Sequence, residues 1–402
     1  MAGLNGELRL ARAWTYAAPR RPAECLPLVY GDPGPGLGGL WNAVCVDAPA
    51  RVYALAGHAL TALEMGNQVT LYDKDDEPID PADYALELAR DYQGRGVIAT
   101  AAFAAEARSR EPIGVRAQGK PGPDGLPLAN PLDLARDLLL AAGGLDPAEL
   151  DQGAFNRARG RAESLGFSAA GAFTRPMPLG QALTELMASF LGSWWRGGDG
   201  RLRLMLDLGP GAVDEGELTA TLGQANLRQV SVSARLDDVV NQVEVRYAFN
   251  HRRQECEAAW SGPEAVQAKS VGLYGPRPRG LELKWVRQPD CARAIAARLA
   301  EAYAFPRRIV TCEEDSLANL HLEKGDPVLL SLPWLCDPLG RPLANQIMRV
   351  LGLEPQLDRG VIAFTLLDTG GHRTLTRPAD GTVLADGSAL AGGERDTREY
   401  RS

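Results

Sequence analysis

Residues that commonly carry out catalysis or bind metals are scarce in this sequence. Its four histidines lie far apart, at positions 58, 251, 321 and 372. The chain contains neither a His-Glu-x-x-His motif, which indicates a zinc protease, nor a Gly-x-Ser-x-Gly motif, which indicates a serine hydrolase. Adjacent acids such as Glu313 and Glu314 do not identify a glycosidase, because its carboxylate pair is set by folded geometry. We predict no enzyme activity, no catalytic or cofactor-binding residues, no metal ligands and no cofactor.

Cysteines and long apolar runs are scarce as well. The six cysteines are separated by 20 residues or more and form no Cys-x-x-Cys pair. This spacing does not match zinc or iron–sulfur sites and is typical of small hydrophobic residues in a reducing cytoplasm. No apolar run reaches about 18 residues, and Met1 to Arg12 lacks a continuous apolar core. We therefore expect a chain with no membrane span and no signal peptide.

Positive charge is under-represented. The chain has 43 Lys and Arg residues against 51 Asp and Glu residues, which gives a net charge of -8. Because phosphate binding needs a basic surface, this balance argues against specific nucleic-acid binding. The densest acidic stretch, residues 73–83, begins like a calcium loop, but Pro78 and Tyr84 occupy the positions that need glycine and glutamate. We interpret residues 73–78 as a solvated turn.

Glycine and proline are abundant, with 44 and 28 residues, and they favour turns over long helices. The cluster Gly31–Gly39 lacks a Gly-Lys-Ser/Thr sequence and a following amphipathic helix, so we interpret it as a loop without a phosphate site. A chain of 402 residues is long enough for about two to four domains. The breakers Pro121–Gly125 mark the first boundary.

Short apolar runs predict a β-rich N-terminal domain at residues 1–125. Leu8 to Tyr16 indicates an early strand, and His58 lies in a turn, where a lone histidine is expected to be polar surface. The other predicted strands are at 43–46, 51–56, 68–72, 81–88, 97–100 and 113–118.

Residues 126–210 have the pattern of a small α/β insertion. Asn130 followed by Pro131 is typical of a helix start, and leucines at helical spacing predict a second helix at 179–191. Between the helices, 154–165 carries three arginines and is predicted to be an exposed linker. The turn Gly197–Gly200 leads into a strand at 201–208, which predicts a hairpin. Trp194 and Trp195 are adjacent and cannot both face one core if extended, so we predict that one lies at an interface.

Residues 211–370 have the pattern of a C-terminal β domain with one helix, Pro289 to Ala304. Residues 371–402 have few apolar side chains, and we expect this extended tail to order only against a partner. The predicted strands are at 231–233, 239–249, 309–312, 328–330, 346–354 and 361–367. The predicted fold class is mostly β with an α+β insertion.

Three places give this sequence a resemblance to the phage tail hub family, the baseplate or tail-tip hub proteins of tailed phages and related injection machines. The first is the stretch from Gly119 to Leu139, and the second is the helix and hairpin that end with Asp199–Leu204. The third is the strand Val239–Tyr247 together with the later turn Lys324–Leu330. The resemblance covers roughly residues 80 to 370, and it depends on the order of these short structural motifs.

The resemblance implies two tube-like β-barrel or sandwich domains plus a small α/β domain on the outside of a ring, usually a trimer. Such a ring adapts a sixfold tail tube to a threefold tip and lines the channel for DNA and tape-measure protein. The implied partners are a distal tail or tube protein above and a tip, spike or fibre protein below. The implied location is the virion tail, after assembly in the host cytoplasm. An acidic balance would keep DNA phosphates from sticking to the channel.

Two other functions stay open at this point. One is a tail-associated cell-wall or glycan hydrolase, which a convergent pair of acids in a deep cleft would favour. The other is a carbohydrate-binding adhesin, which an exposed aromatic platform would favour. The candidate platform residues are Trp41, Trp260, Trp285 and Trp334, although a core or interface role is expected for each tryptophan.

Overall fold

The computed structural model describes residues 25–34, 36–62, 69–92, 96–104, 111–207, 218–336 and 342–372. Most of its regular elements are strands, which confirms the mostly β fold with an α+β insertion. By contacts the chain divides into two compact units. Unit 1 comprises Met1–Asp207, Gln242–Val266 and Pro278–Arg298, and unit 2 comprises Leu208–Asn241, Gln267–Arg277 and Leu299–Ser402. Residues 242–266 and 278–298, which we expected in the C-terminal domain, thus belong to unit 1.

Unit 1 contains two antiparallel sheets that share one core. The first sheet consists, in spatial order, of β3 (Val44–Asp47), β4 (Val52–Ala56), β7 (Val97–Phe103) and β6 (Tyr84–Asp91). The second consists of β2 (Trp41–Asn42), β8 (Gly114–Ala117) and β5 (Val69–Tyr72). Leu55 and Ala101 of the first sheet join Leu71 and Val115 of the second in one buried cluster. Each large side chain removed from water in this way stabilises the fold by about 1.5–3 kcal/mol.

The central strand β4 is buried on both faces. Leu55 faces the shared core, while Val52 and Ala54 join a second apolar cluster with Leu26 and Tyr92. This explains the continuous apolar run at 52–56, because a strand covered on both sides does not alternate between apolar and polar residues. The predicted strand at Leu8 to Tyr16 lies outside the described residues.

The insertion begins as its sequence predicts. Pro131 is the first residue of α1 (Pro131–Asp137), and the Asn130 side chain accepts a hydrogen bond from the Leu132 N–H (3.0 Å). The helix continues as a π-helical turn at Leu138–Ala142. The later elements are α3 (Leu179–Ala188) and a hairpin of β10 (Gly192–Arg196) with β11 (Leu202–Leu206). Both the second helix and the hairpin are therefore confirmed.

The predicted linker at 154–165 is wrong, because this segment is the helix α2 (Gln152–Ser164). Asp151 caps it by accepting a hydrogen bond from the Ala154 N–H (2.9 Å). The buried face is made of Phe155 and three alanines at helical spacing, Ala154, Ala158 and Ala162. Alanine contributes little hydrophobicity, so the arginines of the exposed face dominated the sequence pattern.

Two further small sheets complete unit 1. One pairs β1 (Leu28–Tyr30) with β9 (Gly171–Phe173) and so joins the N-terminal segment to the insertion. The other contains, in spatial order, β15 (Glu255–Trp260), β14 (Gln242–Asn250) and β16 (Pro278–Glu282). The remaining α-helices of the described residues are α4 (Ala268–Tyr274), which lies in unit 2, and the predicted α5 (Pro289–Tyr303), which begins in unit 1.

Unit 2 is built on one six-stranded sheet. Its spatial order is β12 (Ala220–Gly223), β18 (Pro327–Cys336), β19 (Pro342–Gln356), β20 (Val361–His372), β17 (Arg308–Glu314) and β13 (Leu227–Ala234). Strands β12 and β13 lie at the two edges of the sheet, yet residues 224–226 are all that separates them along the chain. The sheet must therefore curl until its edges approach each other at this turn. We call it the curled sheet.

All six strands contribute side chains to the interior of the curled sheet. Leu222, Leu330, Val350, Phe364 and Val310 are buried there, and Leu227 and Val232 of β13 pack against them. A sheet that encloses its own core in this way has the architecture of a partly closed barrel. The long hairpin of β19 and β20 confirms the predicted closing strands and extends beyond both of them.

Candidate interaction surface

No catalytic or metal site was predicted from the sequence, and the geometry reflects a structural use of polar residues. Within the described ranges, no three His, Cys, Asp or Glu side chains are grouped so that they could hold a metal ion. No helix in these ranges is long and apolar enough to cross a membrane. A dense polar cluster instead surrounds residues 31–34 and 36–40, which we call the clamped loop.

Arg116 holds the clamped loop from inside. Its guanidinium donates to the carbonyl oxygens of Gly38 (3.1 Å), Gly34 (3.2 Å) and Leu37 (3.2 Å). The side chain comes from β8, and only 7% of the residue is exposed. Gly36 has a φ of +155° and leaves room for the guanidinium, which a Cβ at this position would approach to 2.9 Å. The carbonyl groups of Gly34, Leu37 and Gly38 therefore converge on a buried cation.

The turn after β14 clamps the loop from a second side. Asn250 donates to Gly39 O (3.1 Å), and the Arg252 N–H donates to Leu40 O (2.9 Å). Arg252 and Arg253 each form an ion pair of 2.5 Å with Asp76, which also accepts a hydrogen bond from the Gly39 N–H (3.2 Å). The partners of this turn are more than 170 positions away in the chain, so no local pattern indicated them.

The interpretation of residues 73–78 as a solvated turn needs correction at Asp76. Desolvation raises the pKa of Asp76, but hydrogen bonds from Arg253 and Gly39 and the charges of Arg252 and Arg253 outweigh it, so the pKa lies below its ordinary value. Asp75 and Glu77 are exposed, as a solvated turn requires. One acid of this stretch is thus a structural anchor.

Arg287 closes the base of the clamped loop. It donates to Pro33 O (2.9 Å) and to Phe249 O (3.0 Å), and it forms an ion pair with Glu257 (3.3 Å). Burial and the nearby charge of Arg116 lower the pKa of Arg287. Together these contacts fix the loop while Leu37 at its tip remains 90% exposed. A rigid loop that presents one large apolar side chain to solvent is our candidate interaction surface.

His58 is not the polar surface residue that the sequence indicated. It is buried, its Nε2 accepts a hydrogen bond from the Val29 N–H (2.8 Å), and its Nδ1 lies 2.7 Å from Ala59 O. Since Val29 can only donate, the neutral ring carries its proton on Nδ1. Burial lowers the pKa of His58 to about 4. Its position directly after the fully apolar strand β4 was the available signal for burial.

His251 is a second neutral histidine, and it is half-buried. Its Nε2 accepts a hydrogen bond from the Ala172 N–H (3.1 Å), and its ring lies edge-on to Phe249 with 5.0 Å between ring centroids. Burial, together with the charges of Arg287 and Lys284, lowers its pKa to about 3. The ring lines a narrow pocket beside Arg287 and Trp41. Both histidines thus act as acceptors that fix β1 and β9.

The motif at Gly119, one of those that carry the resemblance, forms a joint with the insertion. Lys120 binds both carboxylate oxygens of Asp137 (2.7 and 2.9 Å), and Tyr30 donates to the same carboxylate (2.6 Å). Burial, followed by the charge of Asp137, raises the pKa of Tyr30 well above its ordinary value. A Cβ on Gly119 would clash with the backbone of Tyr30. The joint therefore requires glycine at this position.

The candidate sugar-stacking tryptophans are mostly unavailable. Trp41 and Trp285 are buried in the core, and Trp260 is half-buried. Trp334 is the exception, because 57% of it is exposed. In the hairpin of the insertion, Trp194 donates to Thr184 Oγ1 (2.9 Å) and lies opposite Leu204, while Trp195 lies opposite Arg203. Their interface role remains a prediction.

The sequence matches no protein-family model and no curated protein. Among solved structures, a tail protein from Neisseria meningitidis MC58 is similar with a TM-score of 0.34 and 15% identity over 71% of this chain and 80% of that one. The prophage tail protein gp18 from Listeria monocytogenes EGD-e has a TM-score of 0.32 and 10% identity over 85% of this chain and 87% of its own. The 43 kDa tail protein of prophage MuSo2 from Shewanella oneidensis has a TM-score of 0.33 and 10% identity over 71% and 74%.

Proposed function

We propose that this chain is a structural component of a phage tail tip or baseplate, where it forms a trimeric hub ring. The observation that carries the proposal is the presence of two β scaffolds in one chain, the paired sheets of unit 1 and the curled sheet of unit 2. This agrees with the two tube-like domains that the sequence resemblance implies. Three chains with two such domains each would match a sixfold tube to a threefold tip.

The clamped loop supports a role in subunit or partner contact. Binding through a flexible loop costs the conformational entropy of ordering it, whereas a loop that is already fixed avoids this cost. Arg116, Asp76 and Arg287 hold the backbone on both sides of Leu37, so its side chain is presented in a defined position. Solubility alone does not explain why the loop around an exposed leucine is held by so many contacts.

The proposed neighbours follow from the place of a hub in a tail. A distal tail or tube protein would lie above the ring and a tip, spike or fibre protein below it. Tape-measure protein and DNA would pass through the channel, and a net charge of -8 would repel DNA phosphates. The chain would be assembled in the host cytoplasm and would reside in the virion tail. A channel surface with strong positive potential in the assembled ring would contradict the charge argument.

A carbohydrate-binding adhesin is the second candidate, and exposed Trp334 is the observation that favours it. Sugars stack on exposed aromatic rings, so bound glycan would quench or shift the fluorescence of that tryptophan. Glycan-array binding that Trp334→Ala abolishes would support the adhesin. For the hydrolase alternative, the described residues offer no specific observation.

The location of the protein tests the hub proposal. Phage particles that carry an epitope-tagged chain are labelled with gold-conjugated antibody and viewed by electron microscopy. We expect gold at the distal end of the tail, on the tip or baseplate. Label along the whole tube, on the capsid or on no particle at all would contradict the proposal.

The role of the clamped loop is tested by Leu37→Asp, with Leu126→Asp as the matched control at another exposed leucine of unit 1. Both side chains are more than half exposed, so neither change should lower the stability of the free chain by more than about 0.5 kcal/mol. We expect Leu37→Asp alone to reduce incorporation into tails by roughly tenfold or more, because it places a charge in the interface core. Equal incorporation of both variants into tails would show that the clamped loop is not part of the interface.

A further inference from the structure

The edges of the curled sheet meet at a polar corner that the proposed function does not use. The corner consists of the turn 224–226, the end of β17 and the loop that follows β17. Asn226 closes the turn, since its N–H donates to Gly223 O (3.2 Å) and its Oδ1 accepts from the Gly223 N–H (3.1 Å). The Asp315 N–H then donates to Asn226 O (2.8 Å), which ties the turn to β17.

Glu314 is the centre of this corner. The residue is fully buried, with 0% exposure, and its side chain points into the sheet on the same face as Cys312. Its Oε1 accepts hydrogen bonds from Asn226 Nδ2 (3.0 Å) and Asn319 Nδ2 (2.7 Å). Asn226 belongs to the turn between the two edge strands, and Asn319 belongs to the loop after β17. One carboxylate oxygen therefore holds both segments against the end of β17.

The same carboxylate is incompletely compensated. Its Oε2 is buried and accepts no hydrogen bond, and in the described part of the chain no Lys or Arg forms an ion pair with Glu314. Its neighbours Glu313 and Asp315 are paired with Arg359 and Arg228, so both nearby arginines are engaged elsewhere. Burying an ionised group without an opposite charge is costly. The burial of this carboxylate lowers the stability of the closed corner, whereas the hydrogen bonds between the strands are not affected by it.

The strands at the corner add little support of their own. Strand β12 has four residues and pairs with β18 on one side, and β13 pairs with β17 on one side. No strand ladder joins β12 to β13 in the described residues. By contrast, β19 and β20 have a neighbour on each side. Segments with few ladder bonds and exposed backbone open before the rest of a domain does.

We propose that Glu314 is the latch of a local opening in which β12, the turn 224–226 and the start of β13 leave the curled sheet together. Release of the two asparagine side chains frees the turn from β17. The opening then uncovers Leu222 and the apolar interior while the β19–β20 hairpin stays folded. The curled sheet of unit 2 thus opens locally at the corner between its edge strands, and the side chain of Glu314 sets how often this corner opens.

Amide hydrogen exchange of the full-length protein, read peptide by peptide, tests the latch. We expect residues 220–230 to exchange faster than β19 and β20 in the unaltered chain. Because hydrogen bonds to a charged group are strong, Glu314→Ala should accelerate exchange at the corner by roughly 10- to 100-fold with no equal change at β19 and β20. Glu314→Gln keeps an accepting oxygen and removes the buried charge, so its corner should exchange no faster than that of the unaltered chain.

Two further variants keep the test decisive. Glu313→Ala is the matched control on the same strand, since its exposed pair with Arg359 contributes little, and it should change exchange at the corner by less than about threefold. Asn319→Ala removes one donor from the latch and should also accelerate hydrogen exchange at the corner. It replaces Glu314→Ala as the test if that variant unfolds all of unit 2.

Equal exchange of the corner and the β19–β20 hairpin in every variant would overturn the proposal. The proposal would also be overturned if amide exchange at the corner were as fast in Glu314→Gln as in Glu314→Ala. The opening is a property of one chain, so neither result depends on a hub ring.

Discussion

At the scale of single residues, Arg116 shows how one buried side chain can hold a loop in place. It comes from a strand and satisfies three carbonyl groups of the clamped loop, none of which belongs to a sheet or helix. Removing it leaves one buried and two part-buried carbonyls without this donor, a loss that hydration only partly replaces. The long interval between Arg116 and Gly38 in the sequence is the reason that no local pattern revealed this contact.

We expect Arg116→Ala to lower the free energy of unfolding by about 3 kcal/mol, because one buried and two part-buried acceptors lose their charged partner at once. The measurement is urea unfolding followed by circular dichroism. Arg90→Ala is the control, since Arg90 forms an exposed pair with Glu87 (3.4 Å) and should cost less than about 1 kcal/mol. Equal effects of the two substitutions would show that the clamp contributes nothing to stability.

The buried His58 and the half-buried His251 predict sensitivity to mild acid. Both are neutral in the folded chain, with pKa values near 4 for His58 and 3 for His251, against about 6.5 in the unfolded chain. Below pH 6.5 the unfolded state binds more protons, so stability falls as the pH decreases towards the folded pKa values. Each histidine should cost about 2 kcal/mol between pH 7 and pH 5.

Urea unfolding at several pH values measures this effect. In His58→Gln and His251→Gln, an amide oxygen can still accept the backbone hydrogen bond but cannot be protonated in this range. Each variant should therefore lose about 2 kcal/mol less than the unaltered chain between pH 7 and pH 5. A pH dependence identical to that of the unaltered chain in both variants would mean that other groups cause the acid sensitivity.

At the scale of elements, local signals were sufficient where the chain supplies its own cap or alternation. Asn130 and Pro131 fixed the start of α1, and the alternating residues of 346–354 and 361–367 located the β19–β20 hairpin. Helix α2 escaped because its buried face consists mainly of alanine. The pairing of β1 with β9, and the separation of β12 from β13 by four strands, depend on contacts between distant segments. No periodicity within one segment contains that information.

The joint between scaffold and insertion depends on backbone proximity, which a glycine exchange can test. A Cβ at Gly119 would clash with the backbone of Tyr30, and a backbone cannot move aside as a side chain can. We expect Gly119→Ala to destabilise the protein by about 2 kcal/mol or more. Gly160→Ala is the control in α2, where a Cβ meets nothing within 4 Å, and it should stabilise the protein by about 0.5–1 kcal/mol. Thermal unfolding of both variants provides the comparison.

At the scale of the whole molecule, many polar side chains have a structural role. Arginines, histidines and a buried glutamate tie loops to strands, and the backbone on both sides of exposed Leu37 is held by such contacts. Function must be argued from such sites, since a fold alone does not determine it. The proposed subunit contacts depend on two features of the chain, the clamped loop with its exposed Leu37 and the presence of two β units.

The central claim is that three copies form a ring at the end of a tail, and cryo-electron microscopy of intact particles tests it most directly. We expect density for three copies of this chain around the tail axis, between the tube and the tip, with the paired sheets of unit 1 and the curled sheet of unit 2 both bordering the channel. A different number of copies, a position outside the channel wall or particles without the chain would contradict the account.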